Sequence, residues 1–123
     1  MIRPQISFEF FPPKNFEASF RLWDTVQVLA PLAPRFISVT YGAGGTTRDL
    51  TLDAVSTLHK FSGLRVAAHL TCVDASRDQI MEIAASFAAG GVTDIVALRG
   101  DPAKGAAGFT CHPEGFKSSV ELI

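Results

Sequence analysis

Four stretches carry chemically capable side chains to the ends of apolar runs. They are Glu9 in Ile6-Ser7-Phe8-Glu9-Phe10-Phe11, Thr40 and Tyr41 after Phe36-Ile37-Ser38-Val39, His69 in Leu64 to Leu70, and Arg99-Gly100-Asp101 after Asp94 to Leu98. Glu9 stands out, because a carboxylate drawn into apolar surroundings is costly to keep ionised. Its pKa then rises and it becomes a proton donor near neutral pH. The other reading is an edge-strand glutamate in water. His69, Arg99 and the backbones of Gly42 to Gly45 and Gly100 offer hydrogen bonds and charge to an anionic or hydrogen-bonding cofactor. Each also has a plainer role. His69 alone reads as a hydrogen-bonded core histidine, Arg99 with Asp101 as a local ion pair, and Gly-Ala-Gly-Gly lacks the G-x-G-x-x-G spacing of a dinucleotide loop.

The sulfur chemistry is sparse. His69 and Cys72 are three residues apart and Cys111 adjoins His112, but neither pair has the paired-cysteine spacing of structural zinc sites, so no metal is expected. A nucleophilic Cys72 would need a depressed pKa and a base. Two cysteines are too few for a disulfide framework and read as reduced thiols.

The elements that position these residues follow from periodicity and breakers. Alternation puts Ile6, Phe8 and Phe10 on one strand face and Ser7, Glu9 and Phe11 on the other, and Pro12-Pro13 stops the strand. Asn15 caps a helix whose Phe16, Phe20, Trp23, Val26 and Leu29 form an inward stripe, ended by Pro31 and Pro34. Phe36 to Tyr41 is a second strand, closed by Gly42-Ala43-Gly44-Gly45. Thr46 or Thr47 caps a helix over about 48–60 with Leu50, Ala54, Val55 and Leu58 inward, and Ser62-Gly63 ends it. Leu64 to Leu70 is a third strand. Ser76 with Gln79 forms a capping box for a helix carrying Ile80, Ile83, Ala84 and Phe87, stopped by Gly90-Gly91. Asp94 to Leu98 is a fourth strand, Gly100 to about Gly115 a loop, and Phe116 to Ile123 the start of a fourth helix.

Strand starts near residues 6, 36, 65 and 94 give intervals of 30, 29 and 29 residues, a repeat of one βα unit. Such units imply parallel strands in either a (β/α)₈ barrel or a doubly wound sheet. The barrel is favoured, because Ser7 and Glu9, Ser38 and Thr40, Ala67 and His69, and Ala97 and Arg99 place small or polar residues on one parity. The polar member is always at the C-terminal end, where barrel active sites are built. A barrel needs roughly 250 residues, so a chain of 123 residues supplies about the first four units, ending within the fourth helix.

Composition narrows the partners. With 47% hydrophobic and 19% charged residues the chain is globular with one core, and 11 basic against 12 acidic residues in no block give a net charge of -1. Neither a nucleic acid nor an anionic membrane is expected as partner. No apolar run approaches the roughly 20 residues that span a bilayer. Met1-Ile2-Arg3-Pro4 leads into a strand without a signal-peptide core, so a cytoplasmic location is expected.

Taken together, Ser7-Phe8-Glu9-Phe10-Phe11-Pro12-Pro13-Lys14, Ser38-Val39-Thr40-Tyr41-Gly42-Ala43-Gly44-Gly45, Ala68-His69-Leu70-Thr71-Cys72 and Ala97-Leu98-Arg99-Gly100-Asp101 resemble, in order and spacing, the motifs of the methylenetetrahydrofolate reductase family. The resemblance covers nearly the whole chain. It implies a flavin-bearing (β/α)₈ barrel that passes a hydride from NADH or NADPH to FAD and on to 5,10-methylenetetrahydrofolate, giving 5-methyltetrahydrofolate for one-carbon metabolism and methionine synthesis. By motif, Glu9 matches the general acid that protonates the folate as its ring opens to an iminium. Asp101 matches the carboxylate beside flavin and folate, and Arg99, Gly100 and His69 match FAD contacts. Thr40, Tyr41 and Ala43 match the strand-two segment against the flavin, Thr40 also near the nicotinamide. Ser119 falls at a cofactor-contacting position, but Ser118-Ser119 stands where the family usually has Tyr-Ala.

Strands five to eight of the family, which carry most contacts to the FAD phosphates and adenosine, have no counterpart in these residues. A half barrel exposes open edges and apolar surface, so the expectation is a homo-oligomer, a complementing chain, or a fragment of a longer protein. The competing expectation is a catalytically silent half-barrel that serves as a folding or interaction module. An aldolase or isomerase barrel is disfavoured, because there is no barrel lysine suited to a Schiff base.

Overall fold

In the computed structural model the described residues are 2–41, 48–102 and 105–123. Strand β1 (Ser7–Phe10) ends before the prolines. Helix α1 (Phe16–Leu29) starts at Asn15, whose side chain accepts from the Ala18 N–H at 2.8 Å, and runs into a 3₁₀ turn at Ala30–Leu32. Then follow β2 (Phe36–Val39), α2 (Arg48–Phe61), β3 (Val66–Thr71), α3 (Arg77–Ala89), β4 (Asp94–Leu98) and α4 (Ser119–Leu122). The capping box at α3 is present, with Ser76 and Gln79 each bonding the other's backbone. The expected caps Thr46 and Thr47 lie outside the described residues.

The sheet is parallel with order β1-β2-β3-β4. Its core face is Ile37, Val39, Val66, Ala68 and Leu70, packed with Val26, Val55, Leu58, Ile80, Ile83 and Phe87 in one cluster. Helices α1 to α3 thus cover the same face, and strand order follows chain order without reversal. That is the pattern of the first βα units of a (β/α)₈ barrel, not of a doubly wound sheet, which carries helices on both faces. The opposite face, the concave side of a barrel, carries Glu9, Ser38, Ala67, His69 and Thr71. Among the described residues no helix is long and apolar enough to cross a membrane.

Three expectations are corrected. On β4 the concave parity is Asp94, Val96 and Leu98, because the ladder pairs Ala67 with Asp94 and His69 with Val96. Ala97, paired with Leu70, faces the helices, and Arg99 follows the strand's end and so lies outside the alternation. On α1 only Val26 is fully buried, with Leu22 and Trp23 packed against the core, while Phe16 and Phe20 are 83% and 63% exposed. Those two rings meet each other at the surface in a tilted pair, with centroids 5.8 Å apart. On α2, Leu50 lies at the surface and Thr51 is buried in its place, its hydroxyl donating to the Thr40 carbonyl at 2.8 Å.

Candidate active site

The C-terminal ends of the four strands surround a cleft of about 560 Å³, lined by Glu9, Thr40, Tyr41, His69, Thr71, Val96, Leu98, Arg99, Gly100 and Asp101. That volume lies within the range of small-molecule sites, roughly 300–1,000 Å³. One part of every chemically capable stretch of the sequence therefore meets at one rim. Ala43 lies outside the described residues. Ser119 is not brought to the cleft and instead opens α4, where the preceding Ser118 is the N-cap, its side chain accepting from the Glu121 N–H at 3.2 Å.

Regular alternation explains most of these positions. Glu9 and Ser38 are register partners on β1 and β2, and His69 stands two residues beyond Ser38's partner Ala67 on β3. The imidazole Nε2 lies 3.1 Å from Glu9 Oε1 and 3.2 Å from Ser38 Oγ. Three adjacent strands are thus joined across the concave face by one ring nitrogen. His69 is 7% exposed, and burial pushes its pKa below the ordinary value, against a smaller upward pull from Glu9. The neutral ring is favoured, with its Nε2 hydrogen-bonded to Ser38 Oγ and the Glu9 carboxylate beside it as an electrostatic neighbour. The burial expected around Glu9 is absent in these four units, for its side chain is 62% exposed. No strand lies on the outer side of β1 among the described residues.

On the far side of the cleft, Arg99 does not pair with Asp101 among the described residues; its guanidinium lies over the Phe109 ring, 4.4 Å from the centroid. Gly100 has φ +87, and a Cβ there would sit 2.6 Å from Val73 Cγ1 and 2.9 Å from Thr71 Cβ. The chain can turn tightly over the end of β3 only because this residue is glycine. Tyr41 is half-buried, and that burial raises its phenol pKa while Arg48 draws it down.

The cysteines belong elsewhere. His69 faces the cleft, whereas the Cys72 thiol is buried on the other side of the strand and points to the Arg99 carbonyl at 3.5 Å. Burial raises its pKa, the opposite of what a nucleophile needs.

Two features escaped the sequence reading. Thr71, the last residue of β3, lies on the cleft parity and is 5% exposed, yet its hydroxyl has no hydrogen-bond partner among the described residues. The period-two count from His69 could have found it. The second is a staple for the long loop after β4. Arg77 pairs with Glu121 and lies over Phe116 at 4.8 Å, while its N–H donates to the Glu114 carbonyl at 2.9 Å. The Ser118-x-x-Glu121 spacing was its signal.

Comparison with known proteins bears on this geometry. The family model described as methylenetetrahydrofolate reductase matches residues 2–123. The chain is 48% identical over 99 residues to the 5,10-methylenetetrahydrofolate reductase of Pectobacterium carotovorum, covering 80% of this chain and 33% of the relative. It is 44% identical over 118 residues to that of Escherichia coli, covering 96% of this chain and 38% of the relative. To the Arabidopsis thaliana protein named methylenetetrahydrofolate reductase (NADH) 1 it is 34% identical over 117 residues, 95% of this chain and 20% of the relative. The chain spans about a third of the length of the bacterial relatives it matches. With four parallel βα units, polar side chains gathered at their C-terminal rim and a family match over nearly its whole length, the chain belongs to the methylenetetrahydrofolate reductase family.

Proposed function

We propose that residues 1–123 form the first four βα units, a partial barrel domain, of an FAD-dependent reductase that converts 5,10-methylenetetrahydrofolate to 5-methyltetrahydrofolate with NADH or NADPH, in the cytoplasm. The observation that carries this reading is the convergence of Glu9, His69 and Asp101 in one strand-end cleft. The remaining half of the barrel is supplied by further chain or by a second polypeptide.

The residues present fit a flavin. The Thr71 hydroxyl, without a partner among the described residues, can take a polar partner from a ligand, the Gly100 turn leaves its backbone free of a side chain, and Val96 and Leu98 offer apolar area to a ring face. Bound FAD would supply hydride storage between the two substrates. Thr40, Tyr41, Ala43, His69, Arg99 and Gly100 are assigned to holding it, and Asp101 to stabilising positive charge that develops on the folate. Glu9 is assigned to delivering a proton to the folate as its five-membered ring opens. The His69 ring is the charge-sensitive neighbour of that carboxyl group, with Nε2 3.1 Å from Oε1.

Glu9→Gln tests the assignment. In the flavin-loaded protein the variant keeps its flavin and its oxidation of the nicotinamide nucleotide, while folate reduction falls by about 100-fold or more, the usual scale of a lost general acid. Equal loss in both half-reactions would remove Glu9 from the role of folate proton donor.

A second reading, a catalytically silent half-barrel, draws on the 62% exposure of Glu9 and the 38% exposure of Leu98 at the other side of the cleft. It predicts no flavin uptake in any assembly of the chain.

A further inference from the structure

We propose that the Thr71 hydroxyl is a further cofactor contact, donating a hydrogen bond to the isoalloxazine-ribityl part of the flavin and not to its phosphates. The inference rests on the flavin reading above. Thr71 ends β3 on the cleft parity of His69 and is 5% exposed, and its Oγ1 is buried without a partner among the described residues. Its backbone is already engaged, since the ladder pairs it with Leu98 and the next N–H, that of Cys72, donates to the Leu98 carbonyl at 3.2 Å.

The fold accounts for the shape of the side chain but not for its oxygen. Gly100 passes so close that an added Cβ would lie 2.9 Å from Thr71 Cβ, so the loop backbone covers this side chain and limits its size. Valine has the same shape and would spare the chain an unsatisfied buried hydroxyl, which is costly. A hydroxyl kept there is explained by a partner that arrives with a ligand.

The surroundings select the part of the ligand. Glu9 and Asp101 line the same cleft and repel a phosphate, and burial holds His69 toward its neutral form. Among the described residues Arg99 is the one cation on the lining. Such a set favours an uncharged heterocycle with carbonyl and ring-nitrogen acceptors over a pyrophosphate.

The test uses the assembled protein as it takes up flavin, titrated with FAD and separately with riboflavin, which lacks the phosphates and adenosine. Thr71→Val should weaken both by a similar factor, about three- to tenfold for one neutral hydrogen bond. Thr71→Ser, which keeps the hydroxyl, should stay close to the parent. The flavin-free Thr71→Val protein should unfold at the same or a higher temperature than the parent, because the hydroxyl makes no hydrogen bond among the described residues. Unchanged affinity for both ligands, weakening of FAD alone, or a less stable flavin-free protein would each overturn the inference. Should Thr71→Val fail to fold, that result would itself assign the hydroxyl an internal role and overturn it. A parent protein that takes up neither flavin would instead overturn the reading on which it rests.

Discussion

At the scale of single residues, the most informative contact is the one between His69 and Glu9. The His69 Nε2 lies 3.1 Å from the carboxylate while its hydrogen bond runs to Ser38 Oγ, so the ring is anchored on β2 and acts on Glu9 through charge. Burial depresses the His69 pKa, so the unfolded chain takes up a proton near the ordinary value of 6.5 and the folded chain only at lower pH. Between those values the unfolded state binds more protons. Stability is therefore fully present above the unfolded value and is lost as pH falls through the lowered one. Denaturation midpoints of the flavin-free protein from about pH 8 to pH 5 should fall more for the parent than for His69→Gln. Parallel curves would show that another group titrates. His69 was legible in the sequence as a strand-end polar residue. Its partner Ser38 was legible only as a small residue on the right parity, because the contact crosses from one strand to the next.

At the scale of elements, caps and breakers read true because they act within a few residues. Asn15, the Ser76-Gln79 box and the prolines after β1 stand where local hydrogen bonding and φ restriction require them. The apolar stripe of α1 read less well. Phe16 and Phe20 belong to the expected stripe with Trp23 and Val26, but the helix meets the core through Leu22, Trp23 and Val26 and leaves the two phenylalanines outside. How a helix rolls on a sheet is decided by the packing of both partners. The same holds for β4, where pairing with β3 selects Val96 and Leu98 for the concave face. Gly100 links these elements, because the loop that leaves β4 after Leu98 turns over the end of β3 at this residue. Gly100→Ala should destabilise the protein through backbone strain at φ +87 and through collision with Thr71 and Val73. Each cost is on the order of 1–3 kcal/mol. Chemical denaturation measures it, and a loss below about 0.5 kcal/mol, the range of ordinary surface substitutions, would show that the turn relaxes freely.

For the molecule as a whole, the sheet has β1 and β4 at its two edges, with unpaired backbone groups on their outer sides among the described residues. Phe11 beyond the end of β1 is 83% exposed, and Leu98 on β4 faces an open cleft. Such edges and apolar area drive association. The polypeptide of these 123 residues alone should therefore elute larger than a monomer in a sizing run. An absorption spectrum on the same fractions separates the two functional readings. A flavin band co-eluting with an oligomer supports a cleft completed between chains. A colourless protein that stays colourless with added FAD, even when a complementing half is supplied, supports the silent module.

The sequence by itself determined the order and period of the βα units, the ends of most elements and the collection of Glu9, Thr40, His69 and Asp101 at one rim. These follow from alternation, helical period and chain breakers, all of which operate over a few residues. Tertiary structure alone decided which parity of β4 faces the cleft and which side of α1 is buried. It also set the reach of His69 across β2 to Glu9, the stacking of Arg99 on Phe109 and the orphaned hydroxyl of Thr71. Each of these depends on strand register or on segments brought together from far apart in the chain, and neither is encoded in local periodicity.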